Sequence, residues 1–167
     1  ITPVVTDQSL EAVTLNGVEY VSGTEITEDG AYTIVANDAQ GRTTTINFVI
    51  DKTLPVVTLK KYTKDNKGVV VEPGVYNFSL VAFAEDAYLD TIKLNEEDYV
   101  LGTEIGARKS YTLVVSDKAG NTTTIEFAID KDSPYIIIDG KKYKEKNGYV
   151  YPSSPVIPEF DDPNLDK

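Results

Sequence analysis

The chain repeats itself at an offset of 79 residues, and no other feature of it restricts the fold so strongly. Leu15-Asn16 returns as Leu94-Asn95, and Gly23-Thr24-Glu25-Ile26 as Gly102-Thr103-Glu104-Ile105. Tyr32-Thr33 returns as Tyr111-Thr112, Thr43-Thr44-Thr45-Ile46 as Thr122-Thr123-Thr124-Ile125, and Ile50-Asp51-Lys52 as Ile129-Asp130-Lys131. Across the overlap, 24 of 55 aligned positions are identical without a gap. A fixed period of this length is the signature of tandem modules, and each period must then close its own core. A third copy begins at Pro134. Lys141-Lys142-Tyr143 echoes Lys60-Lys61-Tyr62, and the stretch from Val156 to Asp166 runs in phase with the first eleven residues.

The repeat phase predicts three segments. Residues 1–50 are the C-terminal part of a first module, 51–130 a complete module, and 131–167 the N-terminal part of a third. The boundaries are the Ile-Asp-Lys-x-x-Pro segments at 50–55 and 129–134. Only two residues separate Lys from Pro there, and Pro fixes φ, so these linkers are expected to be short and stiff. The opening residues carry neither a basic region nor an apolar stretch of the signal-peptide type, and the phase of the repeat marks the sequence as an excerpt.

Within 55–130 the pattern is that of strands. Pro55 to Leu59 and Val69 to Val71 read as short strands. Val75 to Ala84 reads as one half-buried strand, with Tyr76, Phe78 and Leu80 alternating against Asn77 and Ser79. Leu89 to Leu94 follows, then a turn at Asn95-Glu96, then short strands at Tyr99-Val100 and Thr103 to Ile105. Tyr111 to Ser116 places Tyr111, Leu113 and Val115 on one face. Asn121 to Ile129 does the same for Thr123, Ile125, Phe127 and Ile129, and Phe127 is expected in the core. Asp117 to Asn121 is the hairpin between them, with Gly120 free to take positive φ. No stretch keeps a helical period. Seven or so short strands at close spacing make the chain all-β, a β-sandwich in each module. Gly30-Ala31-Tyr32 has the Gly-x-Tyr form of a tyrosine corner. Its copy, Lys109-Ser110-Tyr111, departs from it.

These residues carry a resemblance. The succession Leu-Asn … Tyr … Gly-Thr-Glu-Ile … Tyr-Thr … Asp-x-x-Gly-x-Thr-Thr-Thr-Ile-x-Phe-x-Ile-Asp-Lys-x-x-Pro is similar to the bacterial immunoglobulin-like repeats of large surface proteins, best known from Gram-positive bacteria. It covers essentially the whole chain. The resemblance implies tandem immunoglobulin-like β-sandwich modules in a secreted or wall-attached protein at the bacterial cell surface. A fold of this kind does not by itself fix a function.

Composition removes whole classes of chemistry. The chain has no Cys and no His, so Ser-His-Asp and Cys-His catalysis and zinc-thiolate sites are excluded. Its net charge of −11 argues against nucleic acid and anionic membranes as partners. No apolar run is long enough to span a bilayer. What remains open is the binding of hard cations by oxygen. Asp51 on the linker, Asp86 after the strand ending near Ala84, and Asp117 and Asn121 in the hairpin loop all fall at one pole of a sandwich. Such a group suits calcium. The plainer alternative is that Asp117 and its copy Asp38 make Asx-type turn hydrogen bonds. In the first copy Arg42 stands where Asn121 does. Tyr135, Tyr143, Tyr149 and Tyr151 could face a sugar, but Tyr143, Tyr149 and Tyr151 fall in or beside a hairpin around Asn147-Gly148, where cross-strand packing is the ordinary explanation.

The expected function is that of a non-enzymatic spacer or stalk whose partners are its neighbouring immunoglobulin-like modules. Two alternatives are an adhesin module for a host protein or glycan, and an accessory module of a secreted polysaccharide-degrading enzyme. A further expectation concerns the ends. Residues 1–50 and 131–167 are complementary halves of a sandwich, so strand exchange between molecules is predicted.

Overall fold

The computed structural model describes residues 1–138 and 140–143, and the backbone of 159–160. Among the described residues there is no helix, and none therefore that could cross a membrane. The chain is all-β, built of mostly antiparallel sheets consistent with β-sandwich architecture. It forms two compact units. The first comprises Ile1–Thr58, Ala82–Leu101 and Thr112–Ile125, and the second Leu59–Val81, Gly102–Tyr111 and Glu126–Lys167.

The first copy of the repeat, in the first unit, folds as β1 (Leu10–Leu15), β2 (Val18–Glu19), β3 (Gly30–Asp38) and β4 (Thr43–Ile50), in the sheet order β2-β1-β3-β4. Asn16 and Gly17 both take positive φ and close the β1–β2 hairpin in the two-residue form that favours Asn-Gly. Val13, Tyr20, Ile26 and Ile34 are buried together, with Val5, Leu15, Tyr32, Ala36, Phe48 and Ile50 packed against them.

The second copy is built as β5 (Val56–Lys61), β6 (Val70–Val71), β7 (Val75–Tyr76), β8 (Leu80–Glu85), β9 (Leu89–Leu94), β10 (Glu97–Asp98), β11 (Glu104–Ile105), β12 (Lys109–Asp117) and β13 (Thr122–Ile129). These fall into two sheets. One has the order β11-β8-β5-β6, the other β10-β9-β12-β13-β7. Leu59, Leu80 and Ile105 of the first sheet are buried, as are Leu113, Val115, Phe127 and Ile129 of the second. Tyr111, Leu113 and Val115 share a buried face, and Phe127 is 4% exposed, as the alternation requires. The third stretch, β14 (Ile136–Ile138), β15 (Lys141–Tyr143) and β16 (Glu159–Phe160), forms a sheet of order β15-β14-β16. Asn147, Gly148, Tyr149 and Tyr151 lie outside the described residues.

Two local expectations need correction. Val75 to Ala84 is not one strand. β7 pairs in parallel with Ala128 and Ile129 in one sheet, and the chain then crosses to the other sheet as β8. Period two persists through such a crossing, so sequence alternation alone does not reveal it. The short strand expected at Tyr99-Val100 is instead Glu97–Asp98. Asn95 and Glu96 both take positive φ, so a tight turn sends the chain straight into pairing with Lys93 and Leu94.

The tyrosine corner proves broader than its sequence signature. Tyr32 donates its hydroxyl to the Glu28 carbonyl oxygen at 2.8 Å, and Tyr111 donates to Ala107 at the same distance although no glycine precedes it. A third tyrosine, Tyr76, donates to the Glu72 carbonyl oxygen at 2.6 Å. The bond reaches a carbonyl four residues back, which requires an extended approach to the strand rather than a glycine as such.

Candidate metal centre

Three strand ends converge in the first unit. β4 ends at Ile50 and delivers Asp51; β8 ends at Glu85 and delivers Asp86; β12 closes on Asp117 itself. One carboxylate oxygen from each of Asp51, Asp86 and Asp117 lies within 4.8 Å of the other two. The residues singled out from sequence are thus brought together, from positions far apart in the chain.

Each carboxylate is also held by its own loop. Asp51 accepts from the Thr53 N–H at 2.9 Å and Asp86 from the Tyr88 N–H at 2.6 Å. Asp117 accepts from the Asn121 N–H at 2.8 Å. The first two are Asx-type turn bonds, the third caps Asp117 within its own hairpin, and each takes up one oxygen of its carboxylate. Gly120, at φ 92°, makes the tight hairpin that turns Asn121 back onto Asp117.

Asn121 is engaged through its side-chain amide nitrogen. Its amide nitrogen donates to Asp117 Oδ2 at 2.7 Å and to the backbone carbonyl of Asp51 at 3.0 Å. Through this nitrogen it ties the hairpin to the Asp51–Pro55 segment. A second tie, unforeseen in the sequence, runs from the Thr123 hydroxyl to the Pro55 carbonyl oxygen at 2.6 Å. Its only advance signal was the repeated Thr-Thr-Thr-Ile string.

Asp117 is 3% exposed. Burial pushes its carboxyl up. The Asn121 side chain together with the backbone N–H groups of Asn121, Gly120 and Ala119 outweighs burial, and the group is held below the ordinary aspartate value. None of the three carboxylates forms an ion pair among the described residues. A cluster of close anions without a cationic side chain is chemically suited to a hard divalent cation with oxygen ligands.

The first copy solves the same loop differently. Asp38 accepts from the Arg42 N–H at 2.8 Å and from the Gln40 N–H at 3.0 Å, and its other oxygen is paired with the Arg42 guanidinium. The backbone bond from Arg42 is the largest influence on its carboxyl, which also lies below the ordinary value. Here the positive charge is covalently built in, and Asp7, the counterpart of Asp86, caps the Ser9 N–H at 2.7 Å.

No family model matches the chain. It is similar to a protein named outer cell wall protein from Brevibacillus brevis (strain 47), with 37% identity over 86 residues, 48% of this chain. The matched stretch spans 8% of the length of that relative.

Proposed function

We propose that this chain is a non-catalytic structural segment of a bacterial cell-surface protein, made of tandem immunoglobulin-like modules that space or display other regions of the protein. The observation that carries this reading is the joint between repeats. The linker Asp51–Pro55 is fastened to the following module at two backbone carbonyls, by Asn121 and by Thr123. A joint held by the module itself is what a spacer requires and what a freely jointed linker lacks.

Three other facts support it. The strand orders β11-β8-β5-β6 and β10-β9-β12-β13-β7, with the parallel β7–β13 pair, suit an immunoglobulin-like sandwich. The absence of His and Cys removes the commonest catalytic groups. The similarity to an outer cell wall protein favours a location at the cell surface. Within this reading, a divalent cation at Asp51, Asp86 and Asp117 would add a third fastening between linker and module.

Replacement in the parent protein tests the proposal. If the segment is a spacer, exchanging it for an unrelated folded segment of the same length leaves surface display unchanged, as read by antibody labelling of intact cells. Loss of attachment to a host protein or glycan on that exchange, with display intact, would identify a binding module instead.

A further inference from the structure

The 79-residue offset aligns two chain segments, 50–53 after β4 and 129–132 after β13. Ile-Asp-Lys is common to both, and the next residue differs: Thr53 in the first, Asp132 in the second. Each of these two residues donates its N–H to the aspartate two places earlier, Thr53 to Asp51 Oδ1 at 2.9 Å and Asp132 to Asp130 Oδ1 at 2.8 Å. The local turn is therefore the same, and the difference lies in the side chains that reach it.

The second segment is gripped by the stretch 106–108, which joins β11 to β12. Lys131 Nζ donates to the Gly106 carbonyl oxygen at 2.9 Å and reaches Ser79 Oγ at 3.4 Å. Arg108 is paired with Asp132. Two adjacent residues of the segment, one cation and one anion, thus hold the same short loop. Gly106 suits this place because a Cβ there would stand 3.0 Å from Ser79 Oγ and 3.1 Å from Glu104 Oε1. A larger residue would crowd the hydroxyl that Lys131 reaches.

The first copy cannot build this contact. Its counterparts of Gly106, Arg108 and Asp132 are Thr27, Asp29 and Thr53, so neither the cation nor the anion of the pair is present. The flanking stretches nevertheless repeat identically, Gly-Thr-Glu-Ile at 23–26 and 102–105 and Ile-Asp-Lys at 50–52 and 129–131. The first segment is fastened instead by uncharged groups, the Asn121 amide on the Asp51 carbonyl and the Thr123 hydroxyl on the Pro55 carbonyl. Those groups come from later in the chain than the segment they hold, whereas Gly106 and Arg108 come from earlier than theirs. One segment is tied forward by neutral bonds, the other backward by charge.

We propose that Arg108 and Lys131 form an ionic clasp that fastens residues 130–132 to the loop before β12 and slackens as ionic strength rises. The pair is open to solvent, with the Arg108 side chain 55% exposed and that of Asp132 49%. Mobile ions reach such a pair, and the distance over which charges act on each other shrinks from about 30 Å at 0.01 M salt to about 3 Å at 1 M. Hydrogen bonds between neutral groups, as at Asn121 and Thr123, carry no net charge to screen. Within the spacer reading the clasp gives one joint a freedom set by the surrounding electrolyte, and the clasp itself does not depend on that reading.

Amide exchange with water, measured by NMR on the intact chain, tests the clasp at two equivalent positions. Between about 0.01 M and about 1 M sodium chloride, exchange at Asp132 should rise relative to that at Thr53 by roughly two- to fivefold, the range that an exposed ion pair supports. Arg108→Gln removes the charge at an exposed position and keeps a polar side chain. In low salt it should exchange at Asp132 about as fast as the natural chain does in high salt, and it should lose the salt response, with its melting temperature confirming the fold. Equal salt responses at Asp132 and Thr53 in the natural chain, or a response that survives in Arg108→Gln, would overturn the proposal. Surface display of the parent protein, which tests the spacer reading, is a separate measurement, so either can fail without the other.

Discussion

Asn121 donates its side-chain amide to the backbone carbonyl of Asp51, a residue 70 positions earlier, at 3.0 Å. The same amide nitrogen reaches Asp117 at 2.7 Å. One short side chain therefore couples the hairpin between β12 and β13 to the segment that precedes β5. Asn121→Ala is expected to lower the denaturant midpoint and to speed hydrogen exchange at the Thr53 amide, whose acceptor Asp51 sits on the released linker. Unchanged exchange at Thr53 would show that the linker is held by Thr123 alone.

The carboxylate cluster predicts a response to calcium. A ligand that binds only the folded state at a hundredfold excess over its Kd stabilises it by about 2.7 kcal/mol. Calcium should raise the melting temperature of the chain, and EDTA should reverse the gain. Asp86→Asn keeps an oxygen to accept from Tyr88 N–H but removes a charge, so it should melt normally in EDTA and gain much less from calcium. If the unmodified chain is indifferent to calcium, the three carboxylates serve only as turn caps.

Unequal cover at equivalent positions predicts unequal costs. Phe127→Ala should cost roughly 3–5 kcal/mol, the range for truncating a buried aromatic side chain. Phe48→Ala, half-buried in the first copy, should cost clearly less by the same urea titration. Equal losses would mean that the first copy is closed in solution by something that covers Phe48.

Acid should weaken the fold around Asp117. Its folded carboxyl lies below the ordinary aspartate value, so its contribution is complete above that value and is lost as pH falls through the lowered one. Unfolding midpoints of the natural chain and of Asp117→Asn should differ at neutral pH and converge on acidification. A gap that stays constant with pH would refute the shift.

Much of this arrangement was legible because period and alternation are written in every residue. Period-two alternation predicted that Tyr111, Leu113 and Val115 would share a buried face and that Phe127 of the next strand would lie in the core, and they do. The meeting of Asp51, Asp86 and Asp117 followed from strand ends falling at one pole, which strand order alone determines. The crossing at 77–79 was illegible because Phe78 and Leu80 continue the alternation while the backbone changes partners. The role of Asn121 was illegible for a different reason. An amide facing a carboxylate must donate, but the sequence does not show that the Asn121 side chain turns towards Asp117 and the Asp51 carbonyl.

The parallel pair of β7 and β13 has a mechanical consequence. The Ala128 N–H donates to the Gly74 carbonyl oxygen and the Asp130 N–H to that of Tyr76, both at 2.9 Å, at the C-terminal end of β13. Tension drawn through the chain beyond Asp130 would pull β13 along the direction of β7. The two bonds are then loaded side by side and must yield together, where an antiparallel hairpin pulled at its open end would unzip bond by bond. Placed at the end of β13, even two such bonds would resist extension as a latch.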